Sequence, residues 1–129
     1  MEKCKTIFIL DDDVGFVRIV SIILESNGYR VFKDYEGNYE FLLDKNFPDI
    51  ILLDCRLGHK SGAEICRQLK ENRDTNLIPV ILCSGECNIR ELANYAQADD
   101  FLQKPFDLNH LLIKIRFILE NQALAASNP

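Results

Sequence analysis

The chain has no tryptophan, one methionine, four prolines and only two histidines in 129 residues. Scarce histidine makes a histidine-based metal or catalytic centre a poor starting point. His59 and His110 do not stand at zinc spacing with any cysteine pair. Cysteine is present five times (Cys4, Cys55, Cys66, Cys83, Cys87), but the number is odd and no C-x-x-C occurs. Redox and zinc-ribbon motifs are therefore missing, and Cys83 and Cys87 alone are two ligands short of a site. The expectation is free thiols, mostly buried as small apolar groups, in a cytoplasmic protein. No apolar run approaches the ~20 residues that span a bilayer, so no membrane segment is expected. The first residues lead through a short apolar stretch into three aspartates, which is not a secretory leader. Repeats and low-complexity tracts are also absent.

Positive charge is in deficit. The formal net charge is -5, from 20 acidic and 15 basic residues. An acidic chain argues against nucleic acid as the direct partner, because neutralising phosphates takes clustered Lys and Arg. Arg67, Lys70 and Arg73 share one segment, yet Glu64, Glu71 and Asp74 interleave with them. The pattern reads as a solvated helix face.

What remains is ordinary globular composition, 47% hydrophobic and 27% charged. One domain is expected over residues 1–121, with 122–129 as a frayed tail or the start of a linker, where apolar periodicity fades. Five short apolar runs punctuate it: Thr6-Ile7-Phe8-Ile9-Leu10, Arg30-Val31-Phe32-Lys33, Ile50-Ile51-Leu52-Leu53, Pro79-Val80-Ile81-Leu82-Cys83 and Asp100-Phe101-Leu102-Gln103. The first, third and fourth are continuous and β-branched, as strands buried on both faces of a parallel sheet are. The second and fifth are more polar, as edge strands are. Helical patterns lie between them. One covers 14–27 and ends at Gly28. A brief one covers 39–45. A third covers 62–72, capped by Ser61 with Glu64 three residues on. A short one covers 88–96. A long final one is capped by Asp107. Five β-α alternations define an α/β fold with a parallel sheet covered on both faces.

In open α/β sheets ligands bind beyond the carboxyl ends of the strands. Asp11, Asp12 and Asp13 follow the first strand and Asp54 ends the third. Ser84 ends the fourth, and Lys104 with Pro105 follows the fifth. Carboxylates crowded together need a counter-charge. A hard cation such as Mg2+, which takes carboxylate, water and phosphate oxygens, supplies one, and Lys104 supplies another. One carboxylate ringed by a cation, a lysine and a hydroxyl suits phosphoryl transfer, in which a protein mostly positions groups and neutralises charge. A carboxylate can itself accept the group as an acyl phosphate. Each signal alone is weak. Their order after strands one, three, four and five is specific.

The stretches Ile9-Leu10-Asp11-Asp12-Asp13, Asp49-Ile50-Ile51-Leu52-Leu53-Asp54, Ser61-Gly62, Ile78-Pro79-Val80-Ile81, Ala98-Asp99-Asp100-Phe101 and Lys104-Pro105-Phe106 resemble the response-regulator receiver family. The resemblance runs over about residues 5–120. It implies a flavodoxin-like, doubly wound, five-stranded parallel sheet of order 2-1-3-4-5 with five helices. It implies that Asp54 is the phosphoacceptor and that Asp12 binds Mg2+ directly. Asp11 would act mostly through water, and the backbone carbonyl of Arg56 would complete the protein ligands. Ser84 and Lys104 would meet the phosphoryl oxygens, with a cis Lys104–Pro105 bond. Ser84 and Phe101 would be the switch pair, working on an output surface of fourth helix, fifth strand and fifth helix. That surface also serves for dimers in such proteins. The donor would be a histidine kinase or phosphotransfer protein. The output partner and the context, stand-alone regulator or fragment of a larger protein, stay open.

Departures from the family pattern are Gly58 in place of proline, Gln97 in place of glycine and a shortened stretch from Ser84 to Phe101. The loop after Asp54 should therefore be less restricted, and the fourth helix short. Arg56 and Glu86 are each two residues beyond a site residue, at positions that line the path of the hydrolytic water in the family; the resemblance implies either that they pair across its mouth and slow hydrolysis or that both point to solvent. Two other readings compete. One is a pseudo-receiver that docks without phosphorylation. The other is a haloacid-dehalogenase-type phosphatase using Asp11 and Asp13, which Gly15 disfavours because that family wants threonine or valine there.

Overall fold

The computed structural model describes residues 4–40 and 47–127. Strands β1 (Thr6–Leu10), β2 (Arg30–Asp34), β3 (Ile50–Asp54), β6 (Val80–Ser84) and β7 (Asp100–Gln103) form one sheet in the order β2-β1-β3-β6-β7. All pairings in it are parallel. This is the expected 2-1-3-4-5 order, with the two polar runs at the edges. A two-stranded antiparallel ribbon, β4 (Arg56–Leu57) with β5 (Lys60–Ser61), sits on the loop after β3. Four helices are present among the described residues: α1 (Val14–Ser26), α2 (Gly62–Glu71), α3 (Ile89–Ala96) and α4 (Leu108–Ser127). The helix expected over 39–45 falls for the most part outside the described residues.

Alternate residues of the central strands feed two cores. Phe8, Leu10, Ile51, Leu53, Val80 and Leu82 pack with Ala63, Cys66, Leu69 and Ala93 of α2 and α3. Ile7, Ile9, Ile50, Leu52, Ile81 and Cys83 pack with Val17, Val20, Leu24, Leu111 and Ile115 of α1 and α4. Burial on both faces is why these strands read as unbroken apolar runs.

The helix ends follow local chemistry. Asp13 accepts from the Phe16 N–H at 3.1 Å and caps α1. Ser61 accepts from the Glu64 N–H at 3.2 Å and caps α2. At the end of α1, Gly28 adopts φ +91°, and the Tyr29 N–H reaches back to the Leu24 carbonyl. The same two-bond turn ends α3, but there Gln97 takes the left-handed conformation at φ 60°.

The final helix runs on to Ser127, past Asn121 where its apolar periodicity fades, because the alanines and leucine that follow are strong helix formers. One expectation needs correction. Lys70 does not lie on a solvated face. Its side chain is 8% exposed, and the ammonium donates to Asp99 Oδ2 at 2.7 Å and to the Ile78 carbonyl at 2.8 Å. A long apolar stem packs down while the ammonium reaches these acceptors. Of the cysteines, Cys55, Cys66 and Cys83 are buried and Cys4 and Cys87 exposed; all five are free. Burial pushes the Cys55 thiol up to about 11 and that of Cys66 to about 12, so neither supplies thiolate near neutral pH.

Candidate phosphorylation site

The carboxyl ends of β1 and β3 lie side by side, which brings Asp11, Asp12 and Asp54 together. Their carboxylate oxygens lie within 4.8 Å of one another. Asp11 is buried, and both its oxygens are engaged. Oδ1 accepts from the Asp13 N–H at 2.9 Å and Oδ2 from the Lys104 ammonium at 2.7 Å. Asp12 is exposed and accepts from the Gly58 N–H at 3.3 Å. Lys104 Nζ also stands 3.8 Å from Asp54 Oδ1. The Lys104–Pro105 bond is cis.

Asp54 is 12% exposed in its side chain. Burial, followed by the charge of Asp11, raises its carboxyl to about 6, against the opposing pull of Lys104. Burial pulls the Lys104 ammonium down, but the Asp11 hydrogen bond and the charges of Asp11 and Asp54 more than offset it, and its pKa ends above the usual lysine value. The site thus carries more negative than positive charge. Three carboxylates of this spacing fit a hard divalent cation with oxygen ligands.

Gly62 fixes the distance between α2 and the end of β3. A Cβ there would lie 1.7 Å from the Asp54 carbonyl oxygen, so no side chain fits without moving one element off the other. Its N–H donates to the Cys55 carbonyl at 2.8 Å. Gly58 shapes the other side of the loop. It stands at φ +62° in the two-residue turn joining β4 to β5. The expected looseness is therefore corrected: the ribbon pins this loop, and the glycine conformation is one proline cannot adopt. Periodicity could not find a ribbon of two residues per strand; the Gly58-His59 dipeptide was its only signal.

Ser84 ends β6 and is buried, its hydroxyl accepting from the Glu86 N–H at 3.0 Å. Phe101 is not part of the carboxylate cluster. It sits on β7 opposite Leu82, half-buried against the α2–α3 core, with the Arg90 guanidinium 5.8 Å from its ring. Arg56 and Glu86 do pair, with Nη2 2.6 Å from Oε1. Both flank a cleft of about 460 Å³ that Cys55, Ser61 and Asn88 also line.

A doubly wound sheet with clustered aspartates and a lysine at its carboxyl edge defines the class, and comparison gives the family. Residues 7–116 match the response regulator receiver domain, and the chain belongs to that family. It is thus a receiver domain of two-component signalling, a switch module and not a classical enzyme, which displaces the dehalogenase-type reading. It is 36% identical over 118 residues to the response regulator ArlR of Staphylococcus saprophyticus, a match taking in 90% of this chain and 53% of the relative. The chain spans about half the length of the curated relatives it matches. A CheY-like receiver domain protein from Methanospirillum hungatei superposes with a TM-score of 0.85 at 26% identity, over 95% of this chain and 99% of the other. DrrB of Thermotoga maritima, an OmpR/PhoB homologue, superposes at 0.80 with 32% identity, over 93% of this chain and 54% of the other. No helix among the described residues is long and apolar enough to cross a membrane.

Proposed function

We propose that the chain accepts a phosphoryl group on Asp54 and uses it to change state. The observation that carries this is the meeting of Asp11, Asp12 and Asp54 within 4.8 Å, with Lys104 at 3.8 Å from the Asp54 oxygen. Asp54 is the least exposed carboxylate with a free approach, since Asp11 spends both oxygens on Asp13 and Lys104. Its oxygen attacks phosphorus, the bond from phosphorus to the donor atom breaks, and the donor leaves with the electron pair. From a histidine kinase or phosphotransfer protein, the leaving atom is an imidazole nitrogen.

Asp12, Asp54 and the backbone carbonyl of Arg56 would hold Mg2+, with Asp11 behind them through water. Bound there, the ion would neutralise charge on the phosphoryl oxygens. Lys104 meets a phosphoryl oxygen from the other side. Ser84, at the end of the neighbouring strand, turns its hydroxyl to the new group and gives up the Glu86 N–H. Space vacated by Ser84 admits Phe101, and the surface of α3, β7 and α4 shifts in population toward the output state. Output partner and dimerisation belong to that surface.

Acetyl phosphate with Mg2+ tests the reading directly, because acetate replaces the imidazole leaving group and no partner is needed. Intact mass should rise by one phosphoryl group in the wild type and not in Asp54→Asn. Equal labelling of both, or of neither, would overturn it.

A further inference from the structure

Lys104 has a third neighbour. Its ammonium lies 4.0 Å from the centroid of the Phe16 ring. The ring stands perpendicular to that of Phe106, with centroids 5.9 Å apart and planes at 85°. The cap of α1 sets this up: the Phe16 N–H donates to Asp13, which ties the first helical turn to the end of β1 beside Asp11 and Asp12. Phe16 is only half-buried, yet it belongs to the core face of α1, one turn before Val20. An ammonium so placed has the Asp11 carboxylate at 2.7 Å, the Asp54 oxygen at 3.8 Å and an aromatic face on a third side. The face of an aromatic ring is its negative pole and attracts a cation, most strongly where water is excluded. Lys104 is 21% exposed.

We infer that Phe16 is a positioning residue for phosphoryl transfer: its ring face holds the Lys104 ammonium within reach of Asp54. The inference rests on Asp54 being the phosphoacceptor. Lys104 is bonded to Asp11 at rest and must reach a phosphoryl oxygen when one arrives. A ring face suits that task, because it attracts the charge without offering one fixed acceptor, so the ammonium shifts across it without losing the contact. An aliphatic side chain fills the same space and does none of this. Phe106 braces the ring in a T-shaped contact.

The test replaces Phe16 with Leu, with Tyr, and with phenylalanines carrying one, two and three ring fluorines, which drain the negative face while keeping shape nearly constant. Initial rates of labelling by acetyl phosphate with Mg2+ are measured on each. Phe16→Leu should slow labelling about fivefold, Phe16→Tyr should restore it to within about twofold, and each added fluorine should slow it further. Helix content by circular dichroism verifies folding. A readout free of activity accompanies it: the Lys104 Cε protons should be shifted upfield by the ring in the wild type and return to ordinary values in Phe16→Leu. A flat fluorine series beside a slow Leu variant would reduce Phe16 to packing and overturn the inference, as would an absent ring-current shift. Failure of the wild type itself to label is a different result: it overturns Asp54 as acceptor, and the positioning role falls with it.

Discussion

Asp54 is expensive to keep charged, and that cost can be measured. The folded carboxyl titrates at about 6 against an ordinary 3.8, because it is buried beside Asp11. Between those values the folded state binds more protons than the unfolded one, so stability falls as pH rises from about 4 to about 6. The protonated carboxyl's contribution is fully present below about 4 and lost above 6, and is worth about 3 kcal/mol at most. Asp54→Asn, unfolded by urea in the presence of a chelator, should lose this slope and be the more stable protein at pH 8. A variant that keeps the wild-type slope would place the titration elsewhere. Arg56 and Glu86 offer a second test. Their 2.6 Å pair flanks the cleft beside the site, but Arg56 is largely exposed, so its effect is modest and sensitive to salt. Arg56→Ala should shorten the lifetime of the phosphorylated form about threefold at low ionic strength. An unchanged lifetime leaves the pair as surface decoration. Both residues were legible in the sequence through the family resemblance, which singles out the positions two beyond Asp54 and Ser84. Lys70 was not, since its acceptors are Asp99, 29 residues on, and two backbone carbonyls in the loop after α2, which no side-chain pattern announces.

At the scale of elements, the strands and their site residues were legible for one reason. Burial on both faces writes a continuous apolar run, and each polar residue that ends such a run stands at the sheet's carboxyl edge. What escaped was short or local. The β4–β5 ribbon has two residues a side, too few for a period. The ends of α1 and α3 show how composition can disguise equivalent geometry. Both close with the same pair of backward hydrogen bonds, but one uses Gly28 and the other Gln97. The glycine announces its turn in the sequence and the glutamine does not. Gln97 therefore holds a left-handed conformation that costs an L residue about 1 kcal/mol. Gln97→Gly should raise the melting temperature by roughly 4 °C without altering labelling by acetyl phosphate. A fall in melting temperature would mean that unfolded-chain entropy outweighs the relieved strain.

Among the exposed apolar side chains of the described residues, one group lies beside the site and another away from it. Phe16, Ile19, Val20, Pro105, Phe106 and Leu108 line a cleft of about 400 Å³ that opens next to Lys104. Ile19 is 55% exposed at its rim. On α4, Ile113 and Phe117 stand one turn apart and both are about three-fifths exposed. Clustered apolar side chains left in water suit a protein contact better than singly exposed ones do. The first adjoins Lys104, so under the proposed function a phosphodonor protein seated there would bring its phosphohistidine toward Asp54. The second lies on the helix that borders the Phe101 strand, with Lys114 bonded to Asp100 between them. Their duties should therefore separate under mutation. Ile19→Asp should slow phosphorylation by a phosphotransfer protein that labels the wild type by about tenfold, and leave labelling by acetyl phosphate within about twofold. Phe117→Asp should leave both rates alone. Because the small donor needs the same Asp54, Lys104 and cation but no docking face, a loss shared by the two donors would place Ile19 in the chemistry and not in recognition. Equal transfer from the protein donor to wild type and Ile19→Asp would move the donor's seat off this cleft altogether.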